Sequence, residues 1–181
     1  MSNNSEYANS ILSKKIAGSY LLAILSFVVL VAIDQISKYY IISSMKLHDS
    51  ISVIDGVFEI HYIQNRGAAW GMFENQQLMF IICTCIACIF GVIFFVKCVN
   101  SHQLKALQIC LIIILSGAIG NFIDRIRFQY VIDFLYFKLI DFPVFNIADC
   151  YVTIGFFITI ILIMFVYKEE DLQILSFKKQ K

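Results

Sequence analysis

The chain has 181 residues, of which 60% are hydrophobic and 15% charged, with a formal net charge of +1. Soluble domains average about 45–50% apolar and about 25% charged residues. The composition therefore excludes a soluble globular domain, a disordered chain and a nucleic-acid-binding protein with a basic face. It predicts a single integral-membrane domain over residues 1–181.

Four apolar runs are long enough to cross a bilayer as helices, because about 20 residues at a rise of 1.5 Å span its hydrocarbon core. None of the four contains Lys, Arg, Asp or Glu. In chain order, the predicted membrane helices cover residues 16–33, 78–96, 106–123 and 151–167. The polar segments 1–13 and 168–181 are expected to be solvated tails.

Four crossings place both termini on the same side of the membrane. Eight lysines would share that side, against six Lys or Arg residues on the other. The positive-inside rule therefore predicts that the termini are cytoplasmic, together with the short loop at 98–105. The remaining two segments are expected on the outer face.

The outer segments differ in character. In the first, β-branched and aromatic residues alternate on both sides of Asp55-Gly56, which is typical of a hairpin turn. We expect a small β-sheet, or cradle, over about 41–75 on the outer membrane surface. The second segment, 124–150, is predicted to be a loop whose Tyr and Phe side chains suit the membrane interface.

Carboxylates cluster at the outer ends of the predicted helices. Ionisable groups at membrane depth are costly and therefore indicate function. Four of them are expected at one level of the membrane: Asp34, Asp124, Asp133 and Asp149.

Structural explanations compete with a functional one at three of these positions. Asp34 and Lys38 are spaced as an i,i+4 ion pair, and Asp124 with Arg125 could orient a loop. Asp149 could simply cap the fourth helix. Asp133, between Ile132 and Phe134, has the weakest structural explanation.

A pair of carboxylates supplies a specific chemistry. Two that lie close together do not both ionise easily, so they share one proton. The ionised member can take a proton from water that attacks a peptide carbonyl, and the protonated member can donate one. Asp133 and Asp149 are the predicted pair, with no metal and no cofactor. Such a pair titrates jointly, so the sequence leaves base and acid unassigned.

Three other classes of protein remain open at this point. A small transporter or channel would use carboxylates near the middle of its helices, and it ranks about equal with a hydrolase on the residues alone. A presenilin-type protease would carry Gly-x-Gly-Asp, which the sequence lacks. In a non-catalytic scaffold, Asp133→Asn and Asp149→Asn would be harmless.

Five motifs in a fixed order resolve these alternatives by resemblance. Together with the four-helix topology, they make the chain similar to bacterial lipoprotein signal peptidase (signal peptidase II, prolipoprotein signal peptidase) along nearly its whole length. The motifs are Asp34-Gln35-Ile36-Ser37-Lys38, Asn65-Arg66-Gly67-Ala68-Ala69-Trp70, Gly120-Asn121-Phe122-Ile123-Asp124-Arg125, Val131-Ile132-Asp133-Phe134 and Phe145-Asn146-Ile147-Ala148-Asp149.

The resemblance implies a reaction and a set of site residues. The family is an aspartic endopeptidase that removes signal peptides from prolipoproteins, cutting on the N-terminal side of a diacylglyceryl-modified cysteine. Its catalytic dyad falls on Asp133 and Asp149. The motif residues expected to support the dyad or contact substrate are Asp34, Lys38, Asn65, Gly67, Asn121, Asp124, Arg125 and Asn146.

The resemblance also implies surroundings and partners. It predicts a multi-pass protein of the bacterial cytoplasmic (inner) membrane, with its active site toward the outer leaflet and with a β-cradle and a periplasmic helix there. The expected partners are lipidated prolipoprotein signal peptides, membrane lipids and globomycin-type inhibitors, with no nucleic acid. Neither a cofactor nor a metal is expected, and the chain is expected to be a monomer.

Overall fold

A computed structural model describes the backbone of residues 2–67, 73, 76–99, 101 and 103–175, and the side chains of these residues except 2–13 and 15. Three residues of the second motif, Ala68, Ala69 and Trp70, lie outside the described residues. So does the end of the predicted C-terminal tail, from residue 176 onward.

Four helices are long and apolar enough to cross a membrane. The predicted four-helix membrane fold is thereby confirmed. The helices are α1 (Ser2–Ser44), α2 (Gln77–Val99), α3 (Lys105–Phe128) and α4 (Ile147–Ile161), which continues through a π-helical turn at Leu162–Val166.

The helices extend further than the predicted apolar runs. Helix α1 begins within the predicted N-terminal tail and continues past residue 33 to Ser44, and α3 continues past residue 123 to Phe128. In these extensions Asp34, Lys38 and Asp124 pair with one another inside the bundle, so their charges do not end the helices. Helix α4 begins four residues earlier than predicted because its first turn is capped by its own side chains.

A three-stranded antiparallel sheet of order β1-β2-β3 stands at one end of the bundle, which we call the sheet end. The predicted hairpin joins β1 to β2 and turns at Gly56, with φ of +71°. The third strand lies in the segment predicted to be a loop, and it pairs with β2 in the register Ile63↔Asp133. The strands are β1 (Ser50–Ile54), β2 (Phe58–Asn65) and β3 (Val131–Tyr136).

The start of the predicted C-terminal tail is also structured. It forms a short helix, α5 (Glu169–Leu172), and a 3-10 turn at Gln173–Leu175. Leu172 and Leu175 pack against a buried cluster at the opposite end of the bundle from the sheet. The tail is therefore folded at least to residue 175, because its leucines cover apolar surface. Another 3-10 turn, Lys138–Ile140, follows β3.

Helix α3 is central and packs against each of the other three membrane helices. Two glycines allow its closest approaches. A Cβ at Gly117 would collide with the carbonyl oxygen of Ala148, and one at Gly120 would collide with Oδ2 of Asp34. These contacts bring α1, α3 and α4 together just beneath the sheet.

Candidate active site

A cavity of about 520 Å³ opens at the sheet end of the bundle. Both predicted catalytic aspartates line it, Asp133 from β3 and Asp149 from the first turn of α4. Four further predicted site residues form part of the same wall: Asn65, Gly67, Asn121 and Arg125. The geometry therefore brings the two carboxylates to one space, from positions 16 residues apart in the sequence.

Asp133 is almost completely buried, with 2% of its surface exposed. Its Oδ1 accepts a hydrogen bond from Asn146 Nδ2 at 2.6 Å, and its Oδ2 accepts one from Asn65 Nδ2 at 2.8 Å. Burial, and next the negative charge of Asp149, raise the pKa of Asp133 to about 7. This carboxyl can therefore hold a proton near neutral pH.

Asp149 is the third residue of α4 and takes part in a capping box. Its Oδ2 accepts from the backbone N–H of Asn146 at 3.0 Å, and its own N–H donates to Asn146 Oδ1 at 3.0 Å. Its Oδ1 accepts from Asn121 Nδ2 at 2.7 Å. The capping explanation of this residue is therefore correct, and the same carboxylate also faces the cavity.

Two asparagines join the aspartates into one network. The side-chain amide of Asn146 donates to Asp133 Oδ1 and, at 3.0 Å, to Asn121 Oδ1. Asn121 in turn donates to Asp149. These amide hydrogen bonds orient the two carboxylates.

A buried ion cluster lies beneath the cavity. Lys38 is 1% exposed, and its Nζ lies 2.9 Å from each of three oxygens: Asp34 Oδ2, Asp124 Oδ2 and Asn121 Oδ1. The i,i+4 ion pair expected between Asp34 and Lys38 is therefore present and is extended by Asp124. The described residues contain no group of three or more His, Cys, Asp or Glu suited to a metal ion.

The two carboxylates of this cluster also hold the backbone beside the cavity aspartates. Asp34 Oδ1 accepts from the N–H of Ala148 at 3.0 Å, one residue before Asp149. Asp124 Oδ2 accepts from the N–H of Ile132 at 3.2 Å, one residue before Asp133. One ion cluster therefore anchors both segments that carry the pair.

Gln35 belongs to this network but was not among the predicted site residues. Its Nε2 lies 3.1 Å from Asp34 Oδ2, from Asp124 Oδ1 and from the carbonyl oxygen of Gly120. Its position in the first motif, between Asp34 and Lys38, is the sequence feature that could have identified it as a site residue. Helical spacing alone gave it no partner, because its contacts with α3 are made across the bundle.

Arg125 and Gly67 complete the cavity wall. Arg125 Nη2 donates to the carbonyl oxygen of Gly67 at 3.3 Å, and its guanidinium carbon lies 4.6 Å from the centre of the Phe80 ring. The N–H of Gly67 donates to Asn65 Oδ1 at 2.9 Å. All ten predicted site residues thus lie in the cavity wall or in the network beneath it.

The chain is similar in sequence and fold to one group of membrane enzymes. A family model described as signal peptidase (SPase) II matches residues 26–165. Two relatives named lipoprotein signal peptidase, from Streptococcus pyogenes serotype M5 (strain Manfredo) and serotype M18 (strain MGAS8232), are 39% identical over 150 residues, covering 83% of this chain and 95% of theirs.

Two solved structures agree with this relationship. Both are described as a bacterial membrane enzyme determined by the in meso method, at 2.3 Å and 1.9 Å resolution, and both are 36% identical to this chain. The first has a TM-score of 0.73 and covers 88% of this chain and 94% of its own. The second has a TM-score of 0.70, with coverages of 81% and 94%.

Proposed function

The chain belongs to the signal peptidase II family, and we propose that it removes signal peptides from prolipoproteins by aspartic catalysis at Asp133 and Asp149. The cut lies on the N-terminal side of a diacylglyceryl-modified cysteine. One observation carries the aspartic assignment: two carboxylates from different elements face a single cavity, and both are oriented by Asn121 and Asn146.

The reaction needs one proton shared by the pair. The ionised carboxylate takes a proton from water as the water oxygen bonds to the scissile carbonyl carbon, while the protonated carboxyl donates to the carbonyl oxygen. Collapse of this tetrahedral intermediate breaks the C–N bond, and the leaving nitrogen takes up a proton from the pair. The products are a signal peptide with a new carboxyl terminus and a lipidated cysteine with a free amino group.

The position of the cavity suits a membrane-bound substrate. Beyond Asp149 its wall continues along α4 through Cys150, Thr153 and Ile154, into the membrane-spanning part of the helix. A signal helix and its acyl chains can therefore remain in lipid while the scissile bond reaches the carboxylates. Limited access of bulk water strengthens the electrostatic interactions within the cavity.

The proposal places the site on the outer face of the cytoplasmic membrane, with both termini in the cytoplasm and the protein acting as a monomer. Globomycin-type inhibitors would occupy the same cavity. A transporter has less support, because Asp34 and Asp124, the carboxylates within the membrane-spanning parts of α1 and α3, are paired with Lys38 beneath the cavity.

The test uses a synthetic lipobox peptide, with and without the diacylglyceryl group, in liposomes containing the purified protein. Mass spectrometry of the products should show one cut before the lipidated cysteine, blocked by globomycin, and little hydrolysis of the unlipidated peptide. Asp55→Asn, in the exposed hairpin turn, is a matched control that should retain activity. Equal cleavage of the two peptides, or a cut elsewhere, would refute the assigned substrate.

A further inference from the structure

A second cavity, of about 540 Å³, lies between α1, α2 and α3 in the half of the bundle away from the sheet. Its wall follows α1 over residues 19–30 and α3 from Lys105 to Ile113. The N-terminal parts of both helices line this cavity, and Lys38 pairs with Asp124 near their C-terminal ends. The two helices therefore run parallel. We call this cavity the α1–α3 groove. It shares no lining residue with the active-site cavity.

The α1–α3 groove has the dimensions of one lipid leaflet. Residues 19–30 rise about 16 Å along α1, which is about half of the ~30 Å hydrocarbon core of a bilayer. Both helices span the membrane, and the side chains of Leu22, Val29 and Ile109 in the groove are more than half exposed. The groove therefore opens to lipid along its length, and an acyl chain is the ligand that fits such a surface.

The charge at the start of the groove indicates which headgroup fits. Among the described lining residues Lys105 is the only charged one, and it is exposed at the first position of α3. The N-cap residue Leu104 makes no side-chain capping hydrogen bond, so the backbone N–H groups at this helix start add positive potential beside the ammonium. A cation above an apolar groove complements a lipid that carries a negative headgroup.

We propose that the α1–α3 groove binds one anionic phospholipid, with an acyl chain between α1 and α3 and the phosphate at Lys105. The site is independent of the peptidase activity. Its occupant fills the space between the helix that carries Asp34, Gln35 and Lys38 and the helix that carries Asp124. Bound lipid therefore stabilises the packing of α1 on α3 below the active site.

Native mass spectrometry of the protein in neutral detergent, titrated with phosphatidylglycerol, tests the proposal. Wild type should retain one phosphatidylglycerol molecule and hold phosphatidylcholine more weakly. Lys105→Gln should bind phosphatidylglycerol about five-fold more weakly, from the loss of one cation beside the headgroup. Lys168→Gln, an exposed lysine at the same end that does not line the groove, should bind like wild type.

A second variant tests the groove itself. Ser26→Phe fills it from α1 and should abolish retention of the lipid, with thermal unfolding as the check on folding. Unchanged affinity in Lys105→Gln, or equal retention of the two lipids, would overturn the proposal. So would wild-type retention by folded Ser26→Phe. If glycerol phosphate raised the unfolding temperature as much as the lipid does, the site would bind free anions and the lipid assignment would fail.

Discussion

Replacing Lys38 by Met removes the cation that lies between two buried carboxylates. Asp34 and Asp124 are both fully buried, and each loses a contact of 2.9 Å with the ammonium. The hydrogen-bond partners that remain are neutral: Gln35 contacts both carboxylates, Asp34 keeps the N–H of Ala148, and Asp124 keeps that of Ile132. Two like charges then lie close together without a cation in direct contact with either of them.

The expected cost is large because all three charged side chains of the cluster are buried. Removing one partner of a buried ion pair costs about 3–5 kcal/mol, and here one lysine serves two partners. Hydrolysis should also fall by at least about ten-fold, since a shift of about 1 Å in a catalytic group can cost about a hundred-fold. The loss of Lys38 reaches the catalytic pair through Asn121, which accepts a hydrogen bond from Lys38 and donates one to Asp149.

Equilibrium unfolding in mixed micelles measures the stability, and hydrolysis of the lipidated peptide measures the activity. Lys14→Met, an exposed lysine on the same helix, is the matched control and should lie within about 1 kcal/mol of wild type. Adding Asp34→Asn and Asp124→Asn to Lys38→Met should recover most of the lost stability, because no buried charge then remains unpaired. A Lys38→Met protein as stable and active as the control would refute this reasoning.

Three other predictions concern the same region. Gly120→Ala forces a methyl group against the carboxylate of Asp34 and should destabilise by about 1–3 kcal/mol, whereas Gly18→Ala, with nothing within 4 Å, should be neutral or stabilising in the same unfolding assay. Because the pKa of Asp133 is raised from 3.8 to about 7, the folded state keeps a proton that the unfolded chain loses in this range, so stability should fall as pH rises from about 4 to about 7. This slope should be smaller in Asp133→Asn, and kcat/KM of wild type should fall above about pH 7 as the pair loses its proton. Gln35→Leu loosens both anchoring carboxylates and should lower kcat more than it raises KM in steady-state assays; a change confined to KM would contradict its positioning role.

The parts of the fold that were predictable are those encoded locally. Apolar run length identified four helices, and Asp55-Gly56 between alternating strands identified the hairpin. The third strand was missed because its pairing joins Ile63 to Asp133, which are 70 residues apart. The ends of α1 and α3 are predicted too early because single-sequence hydropathy treats Asp34 and Asp124 as boundaries, whereas in the folded chain both charges are paired with Lys38.

In the site, too, local sequence features were predictable and contacts between distant segments were not. The motifs predicted ten site residues, and all ten lie in the cavity wall or in the network beneath it. The motifs did not predict which of these residues line the cavity and which hold the backbone beside it. That Asp34 and Asp124 each hold the N–H just before one cavity aspartate follows only from the packing of α1 and α3 against α4 and β3. Gln35 was left out for the same reason, since two of its three acceptors belong to α3.

The most direct test of the central proposal is a double-mutant cycle on the two cavity aspartates. Values of kcat for the lipidated peptide would be compared for wild type, Asp133→Asn, Asp149→Asn and the double variant, with folding of each checked by thermal unfolding. Residues that act as one unit are strongly non-additive, so each single variant should lose about 10²–10⁴ in kcat and the double variant little more. Retention of near-normal kcat by either folded single variant, or fully multiplicative losses, would contradict a dyad that shares one proton.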